Sequence, residues 1–475
     1  MAGSKHNVDA IAFQAQQAFK EENLARAAML YRKALKLDKN NPELQTRYGH
    51  VLALSGRGAE SVEFLERARK QRPNHPPTLM IHAFAKLHMN DAAQALASLD
   101  RALLQDPTYA PALLAKVNLY IDSGTPELAE GILDEAIALP NPDALVLVAQ
   151  LNMLRANKRF SEGIDLANRL IDRQDFSDRH KLSARFAHGH MLDATGEYDR
   201  AFECFRTANT VLPPGAPTNA TASIKLWDQE FHDQLKPTGN LSEQPVIIVG
   251  MPRSGTTLTE QIIGAHTDAG TVGEAPILLQ QFLRTAPSNL TTERLGEYSD
   301  EYIEYLATQL PDRPARVIDK HMNADRTVGI VSRMFPNARF IHCLRDPADC
   351  CLSAYFQNFG FNLAYARDLG TIGGQYVAHR TLMDHWSGLI DRPIHTSIYE
   401  ELVDDPDTRV RAVLEHLGLP WDEGCMRFHE SREHVLTASA SQVRKPIYAS
   451  SKQRWRNYEK HLGPLFEALG AYAPV

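Results

Sequence analysis

Cysteine is scarce in this chain: five in 475 residues (Cys204, Cys343, Cys350, Cys351 and Cys425), with no Cys-x-x-Cys pair and no even framework. That argues against a disulfide framework and reads as reduced thiols in a cytoplasm. The adjacent Cys350-Cys351 pair reads as packing. Excess positive charge is missing too. The formal net charge is −7 and the basic residues form no runs, which argues against general nucleic-acid binding. The N-terminus is polar and helical from Val8, with neither a signal peptide nor a long apolar run, so no membrane segment is expected. The sequons at Asn219 and Asn289 then carry no expectation of glycosylation. Tryptophan is absent from the first 226 residues: Trp227, Trp386, Trp421 and Trp455 all lie further on, which marks a change of domain.

What the first 210 residues do have is a period. Small–large–small triplets recur at Ala27/Tyr31/Ala34, Ser61/Leu65/Ala68, Ala95/Leu99/Ala102 and Ala129/Leu133/Ala136, with degenerate versions at Gly163/Ala167/Leu170 and Ala201/Phe205/Ala208. The first five anchors fall 34 residues apart and the last 38. A 34-residue period is the signature of tetratricopeptide (TPR) helix pairs. The small residues let paired helices approach while the middle one fills the gap. Pro73, Pro107 and Pro213 stop second helices, and Gly49 and Gly189 sit in first helices. Five to six helix pairs over residues 1–210 are expected, with a concave surface suited to recruiting a protein or peptide. Residues 211–244 read as a loop-rich hinge followed by a short helix, Ile224 to Leu235.

The second half opens on Pro245-Val-Ile-Ile-Val-Gly-Met-Pro-Arg-Ser-Gly-Thr-Thr-Leu258. It reads as a buried strand, a glycine-bounded turn and a helix start, which together aim backbone N–H groups at an anion. The spacing is that of a phosphate-binding P-loop, but Thr256-Thr257 stand where a nucleotide triphosphatase has Lys followed by Ser or Thr. Arg253 lies inside the loop instead. A compact, doubly anionic 5′ group fits this loop better than Mg-ATP. Downstream, Arg339-Phe-Ile-His-Cys-Leu-Arg-Asp-Pro-Ala-Asp-Cys-Cys-Leu-Ser353 gives a second strand, with Arg345 at its carboxyl end and Ser353 in the following helix. Ligands of doubly wound sheets sit outside the carboxyl ends of strands, so both elements can face one crevice. Alone, Arg345-Asp346 reads equally well as a strand-end ion pair.

The loop Pro252–Leu258 resembles the 5′-phosphosulfate loop of sulfotransferases that use 3′-phosphoadenosine-5′-phosphosulfate (PAPS). The Arg345-x7-Ser353 element resembles their 3′-phosphate site. Three further stretches resemble the tyrosylprotein sulfotransferases and their TPR-bearing bacterial relatives. These are Gly264–Glu274, Val317–Lys320, and Ser439–Ile447 continuing to Arg454-Trp455. The resemblance covers roughly residues 245–460. It implies a PAPS-dependent sulfotransferase domain over 245–475, no metal, Glu274 as base, and Lys320 and Arg253 as stabilisers of the leaving group. It also implies a cofactor set of Arg253, Ser254, Gly255, Thr256, Thr257, Arg345, Ser353, Tyr399, Ser439, Lys445 and Arg454. The acceptor it implies is a hydroxyl, tyrosine in a protein or peptide first; carbohydrate or small-molecule hydroxyls, and a PAP-binding scaffold without turnover, stay open. A homodimer is a further expectation. Two departures stand out. Gln357 occupies the place of a basic cofactor residue, and Arg454 that of a lysine. Lys320-His321 also copies the Lys-His pair of small-molecule sulfotransferases, which leaves His321 open as the base and would make Glu274 structural. Apart from the resemblance, Glu274 reads as an N-cap acid before a helix over Ala275–Leu283, and Lys320 as a partner of Asp319 or Asp346.

The expected architecture is an all-α solenoid followed by an α/β domain with a mainly parallel sheet. Its strands are expected at Val246–Val249, Arg316–Ile318, Arg339–Leu344 and Pro393–Ile398. Its helices are expected at Thr257–Ala265, Arg326–Phe335, Pro347–Phe359, Gln375–Ile390 and Glu401–Leu417.

Overall fold

A computed structural model describes the chain apart from residues 1, 21–22, 56, 88, 90, 140, 276, 279–280, 282–288, 321–323, 360–362, 431–451 and 475, and apart from the side chains of 2–6. The chain divides into two compact units, the first running over Met1–Thr195 and the second starting at Gly196.

The first unit is all helix, from Ala2–Lys20 and Leu24–Leu37 to Phe160–Asp172 and Asp178–Ala194, each helix packing on its sequence neighbours. Its boundaries follow capping chemistry. Asn41 accepts from the N–H groups of Glu43 and Leu44 ahead of Pro42–Leu54, and Pro42 fills the first helical position, where a missing N–H costs nothing. Asn23, Asp91, Asp143 and Ser177 cap other starts in the same way. The periodic triplets are the packing residues: Ala27, Ala34, Ser61, Leu65, Ala68, Ala95, Leu99, Ala102 and Ala129 are fully buried. Gly49 shows why the neighbouring helix needs a small residue. A Cβ there would lie 2.7 Å from Leu65 Cγ, so the middle residue of one triplet occupies the space the glycine leaves.

The second unit holds one parallel five-stranded sheet in the order β2-β3-β1-β4-β5, with β1 Pro245–Gly250, β2 Ala269–Thr271, β3 Arg316–Lys320, β4 Arg339–Leu344 and β5 Ile394–Ile398. Val246–Val249 are buried throughout, as a continuous apolar run in a central parallel strand requires. β2 is a three-residue edge strand, Ala-Gly-Thr, whose composition carries little strand signal. The 18-residue helix Thr292–Gln309, capped by Thr291, was not foreseen; it buries Tyr298, Tyr302 and Leu306 in the main core.

Several expected boundaries move for identifiable reasons. Glu401–Leu417 is two helices, Tyr399–Asp404 and Pro406–Leu417, because Pro406 cannot continue the first and Asp405 caps the second by accepting from Thr408 N. The long helix expected from Gln375 starts at Leu369, where Asp368 accepts from Thr371 N. The helix expected at Arg326 begins at Val328 after a 3₁₀ turn, Ala324–Arg326, and the one from Pro347 ends at Tyr355. Ile224–Leu235 is two short helices, Ala220–Leu226 and Gln229–Gln234, broken at Trp227-Asp228. The helix expected over Ala275–Leu283 falls largely outside the described residues. The stretch read as a hinge is tied to the sheet unit: Gly215 N donates to Ala364 O, Thr218 N donates to Gln375 Oε1, and Trp227 packs edge-on against Trp386. Proline and glycine there mark turns, and turns need not be mobile. Where composition drew the repeat array to residue 210, the compact unit stops at Thr195, and the helix Tyr198–Asn209 belongs to the second unit.

Candidate active site

The strand order puts β1 between β3 and β4, so the ends of these three strands share one edge of the sheet. In register, Ile248 pairs with Lys320 and Gly250 with Cys343. The turn after β1 is tight on every side. A Cβ on Gly250 would lie 2.6 Å from Ser254 Oγ, 2.8 Å from Thr256 Cγ2 and 2.9 Å from the Cys343 carbonyl oxygen. Arg253 and Gly255 both adopt positive φ, +73° and +98°. A left-handed arginine costs roughly 1–2 kcal/mol, and such strain persists only where surrounding structure holds it. Gly255 is the N-cap of Thr256–Gly264, with no side-chain cap to occupy the helix start. Ser254 is buried, and its hydroxyl has no hydrogen-bond partner among the described residues. Thr257 is buried beside it in the first turn.

Two arginines stand over this turn. Arg253 Nε donates to Ser353 Oγ at 3.0 Å, which joins the loop to the helix Pro347–Tyr355. Arg345, just past β4, donates from Nη1 to the Arg253 carbonyl at 3.1 Å, and its guanidinium lies 4.8 Å from the Tyr399 ring centre. Tyr399 opens the helix after β5 and lines Gly255, where a Cβ would come within 3.0 Å of Tyr399 Cδ2. Asp346 caps the next helix by accepting from Asp349 N at 2.9 Å, and its own N–H donates to Glu400 Oε1 at 3.1 Å. Arg454 stands over the Phe356 ring at 5.7 Å. Ser439 and Lys445 lie outside the described residues, as does His321.

A second cluster forms at the end of β3. Lys320 is nearly buried and donates from Nζ to Glu274 Oε1 at 2.7 Å, with Glu260 Oε2 at 3.9 Å. The Glu274 side chain is one-third exposed, so it can meet a molecule arriving from solvent while the lysine stays sunken. Burial alone pushes the Lys320 pKa down, but the carboxylates of Glu274 and Glu260 more than reverse that, and its pKa is raised overall. Glu260 is the functional candidate that sequence reasoning missed. It sits in the helix after the loop, is 3% exposed, and accepts from Thr271 Oγ1 at 2.6 Å; Thr271 Oγ1 in turn accepts from Gly273 N. Its sequence signal was an acid set between Thr259 and the apolar Ile262-Ile263 pair of a helix due to pack inward.

Asp319 faces away from Lys320, as consecutive strand residues must. It accepts from Tyr302 Oη at 3.0 Å in full burial, and that burial pushes its pKa up to about 7. A carboxyl with a raised folded pKa holds its proton in the native state after the unfolded chain has released it, near pH ~4. Its contribution therefore costs stability progressively as pH rises from about 4 to about 7. Asp319→Asn is expected to remove that part of the slope. Urea midpoints of both proteins across the window check it; parallel pH profiles would refute the assignment.

The geometry is that of a domain handling anions at the carboxyl edge of a parallel sheet, and comparison with known proteins names its class. Residues 245–423 match the Sulfotransferase family, and residues 18–83 and 86–156 match the Tetratricopeptide repeat, so the chain carries a sulfotransferase-family domain behind TPR repeats. It is 31% identical over 379 residues to an uncharacterized protein of Aquifex aeolicus (strain VF5), covering 74% of this chain and 49% of that one. It is 23% identical over 232 residues to Protein-tyrosine sulfotransferase A of Caenorhabditis elegans, covering 44% of this chain and 60% of that one. This chain thus spans about half to three-fifths of the length of these relatives. Among solved structures, the Sulfotransferase Domain from the Synechococcus PCC 7002 Olefin Synthase aligns at 20% identity and a TM-score of 0.36, over 48% of this chain and 90% of that domain. No described helix is long and apolar enough to cross a membrane.

Proposed function

We propose that the protein transfers the sulfuryl group of PAPS to an acceptor hydroxyl, with tyrosine in a protein or peptide first in line and the TPR array as its recruiting surface. The observation that carries the reading is the convergence of Arg253, Arg345 and Ser353 on the glycine turn, beside a second cluster in which a buried lysine meets a partly exposed glutamate. The residues fit the donor. The buried Ser254 hydroxyl, without a partner among the described residues, the cradle that a Cβ on Gly250 would fill and the uncapped helix start suit a 5′ phosphosulfate. Arg345 and Ser353 suit the 3′-phosphate.

In-line displacement at sulfur builds charge on the bridging oxygen as the bisphosphate leaves. Lys320 as a point charge and Arg253 as a fork of donors would stabilise that charge. Glu274 would take the acceptor's proton. While Lys320 holds Oε1 of Glu274, that oxygen is occupied, so transfer asks the ammonium to turn toward the developing charge, leaving Glu260 as its buried counter-ion. The tyrosine acceptor rests on likeness to protein-tyrosine sulfotransferases at about 23% identity.

Calorimetric titration of PAP, and of ATP with Mg²⁺, into wild type and Arg345→Ala tests the reading. The expected result is PAP binding much tighter than ATP, weakened by about 10- to 100-fold in the variant, the equivalent of a charged hydrogen bond worth ~1.5–3 kcal/mol. Preference for ATP, or PAP binding indifferent to Arg345, would sink it.

A further inference from the structure

The helix Tyr198–Asn209 carries the sixth triplet of the repeat pattern, and Phe205 and Asn209 on it meet residues of the sheet unit. Phe205 is fully buried and stacks on Phe356 with ring centres 4.0 Å apart and planes 19° from parallel. Asn209 is 6% exposed and donates from Nδ2 to the Tyr355 carbonyl at 2.9 Å. Tyr355 is the last residue of the helix Pro347–Tyr355, and Ser353 lies in its last turn. The final carbonyls of a helix have no partner within it, and a nine-residue helix frays from such an end. Asn209 and Phe205 therefore hold the turn on which the orientation of Ser353 depends.

The opposite end of the Tyr198–Asn209 helix grips a second element. Phe202 stacks on His461 at 4.3 Å with planes 7° apart, Tyr198 meets Tyr458 edge-on at 5.4 Å, and Asp199 accepts from Lys460 Nζ at 2.7 Å and pairs with His461 Nε2 at 2.8 Å. Those partners lie in the 3₁₀ segment Arg454–His461. The start of that segment is in turn clamped to the serine helix, since both Asp349 oxygens accept backbone N–H groups, from Gln453 at 2.6 Å and from Trp455 at 2.8 Å.

We infer that Tyr198–Asn209 is a positioning element of the nucleotide site, with Asn209 the positioning residue for Ser353 and hence for the 3′-phosphate. The inference rests on the PAPS reading of Arg345 and Ser353. The test uses two nucleotides that differ only by the 3′-phosphate, PAP and 5′-AMP, titrated into the full-length wild type and Asn209→Ala. A brace on Ser353 lowers PAP affinity about 3- to 10-fold, the scale of one hydrogen bond, and leaves AMP affinity unchanged, so the PAP-to-AMP ratio falls. A general loss of stability would weaken both nucleotides together and keep the ratio, which overturns the inference. A wild type that does not prefer PAP to AMP would instead overturn the underlying assignment of Arg345 and Ser353. Should Asn209→Ala not fold, Phe202→Leu is measured in the same way; it keeps an apolar side chain of similar bulk but loses the stack on His461, and the same fall in ratio is expected.

Discussion

Glu274→Gln is expected to lower kcat by ~10²–10⁴-fold, the usual contribution of a positioned base, while PAP binding stays within about twofold. Glutamine keeps the volume and an acceptor oxygen for Lys320 Nζ, now 2.7 Å from Glu274 Oε1, but it cannot take a proton. Lys320→Met reaches a similar loss of rate by another route and adds a second symptom. It removes the ammonium that faces Glu260, which is 3% exposed, and breaking a buried ion pair by deleting one partner costs ~3–5 kcal/mol. The two variants therefore separate in a melting experiment: Gln at position 274 leaves stability close to wild type, and Met at position 320 lowers it sharply. Single-turnover transfer from PAPS to a phenolic acceptor supplies the rates. An active Glu274→Gln protein, with activity lost on His321→Ala, would move the base to His321 and make Glu274 a structural partner of the lysine.

The sequence was most legible where local chemistry decides geometry. The 34-residue spacing of small residues placed the helix pairs because only small side chains fit at the crossing, as Gly49 against Leu65 illustrates. The glycine turn and the Arg339–Leu344 strand were legible because a buried parallel strand followed by a helix start leaves few arrangements. Long-range pairing was not legible. Nothing in the stretch around Lys320 says that its ammonium meets Glu274 and Glu260 while its neighbour Asp319 turns to Tyr302; that follows from β2 adding beside β3 and from the Thr292–Gln309 helix. Likewise the triplet Ala201/Phe205/Ala208 reads as a degenerate sixth repeat, and its spacing does not say what Phe205 stacks on. A repeat motif specifies a helix with a small-residue stripe and cannot say which surface the stripe meets, and here Phe205 meets Phe356.

The packing of Tyr198–Asn209 bears on where the chain can be cut. Removal of residues 1–195 is expected to leave a cooperatively folding protein that binds PAP as the full chain does, since the division of compact units falls at Thr195. Removal of residues 1–210, the boundary that composition suggests, is expected to abolish folding. It strips Phe202 and Phe205, 6% and 0% exposed, from aromatic contacts with Tyr355, Phe356, Tyr458 and His461, and it takes Asn209 from the Tyr355 carbonyl. A phenylalanine lost from a core costs ~3–5 kcal/mol, so the pair approaches the whole ~5–15 kcal/mol that keeps a domain folded. Thermal unfolding of the two truncations, with PAP titration of whichever folds, reads the difference. The shorter cut also isolates the repeats, because turnover of a small phenol should persist in it while turnover of a protein acceptor falls. If both truncations melt alike, Tyr198–Asn209 contributes nothing to the sheet unit and its aromatic contacts carry no stability; if protein and phenol turnover fall together, the array does not recruit the acceptor.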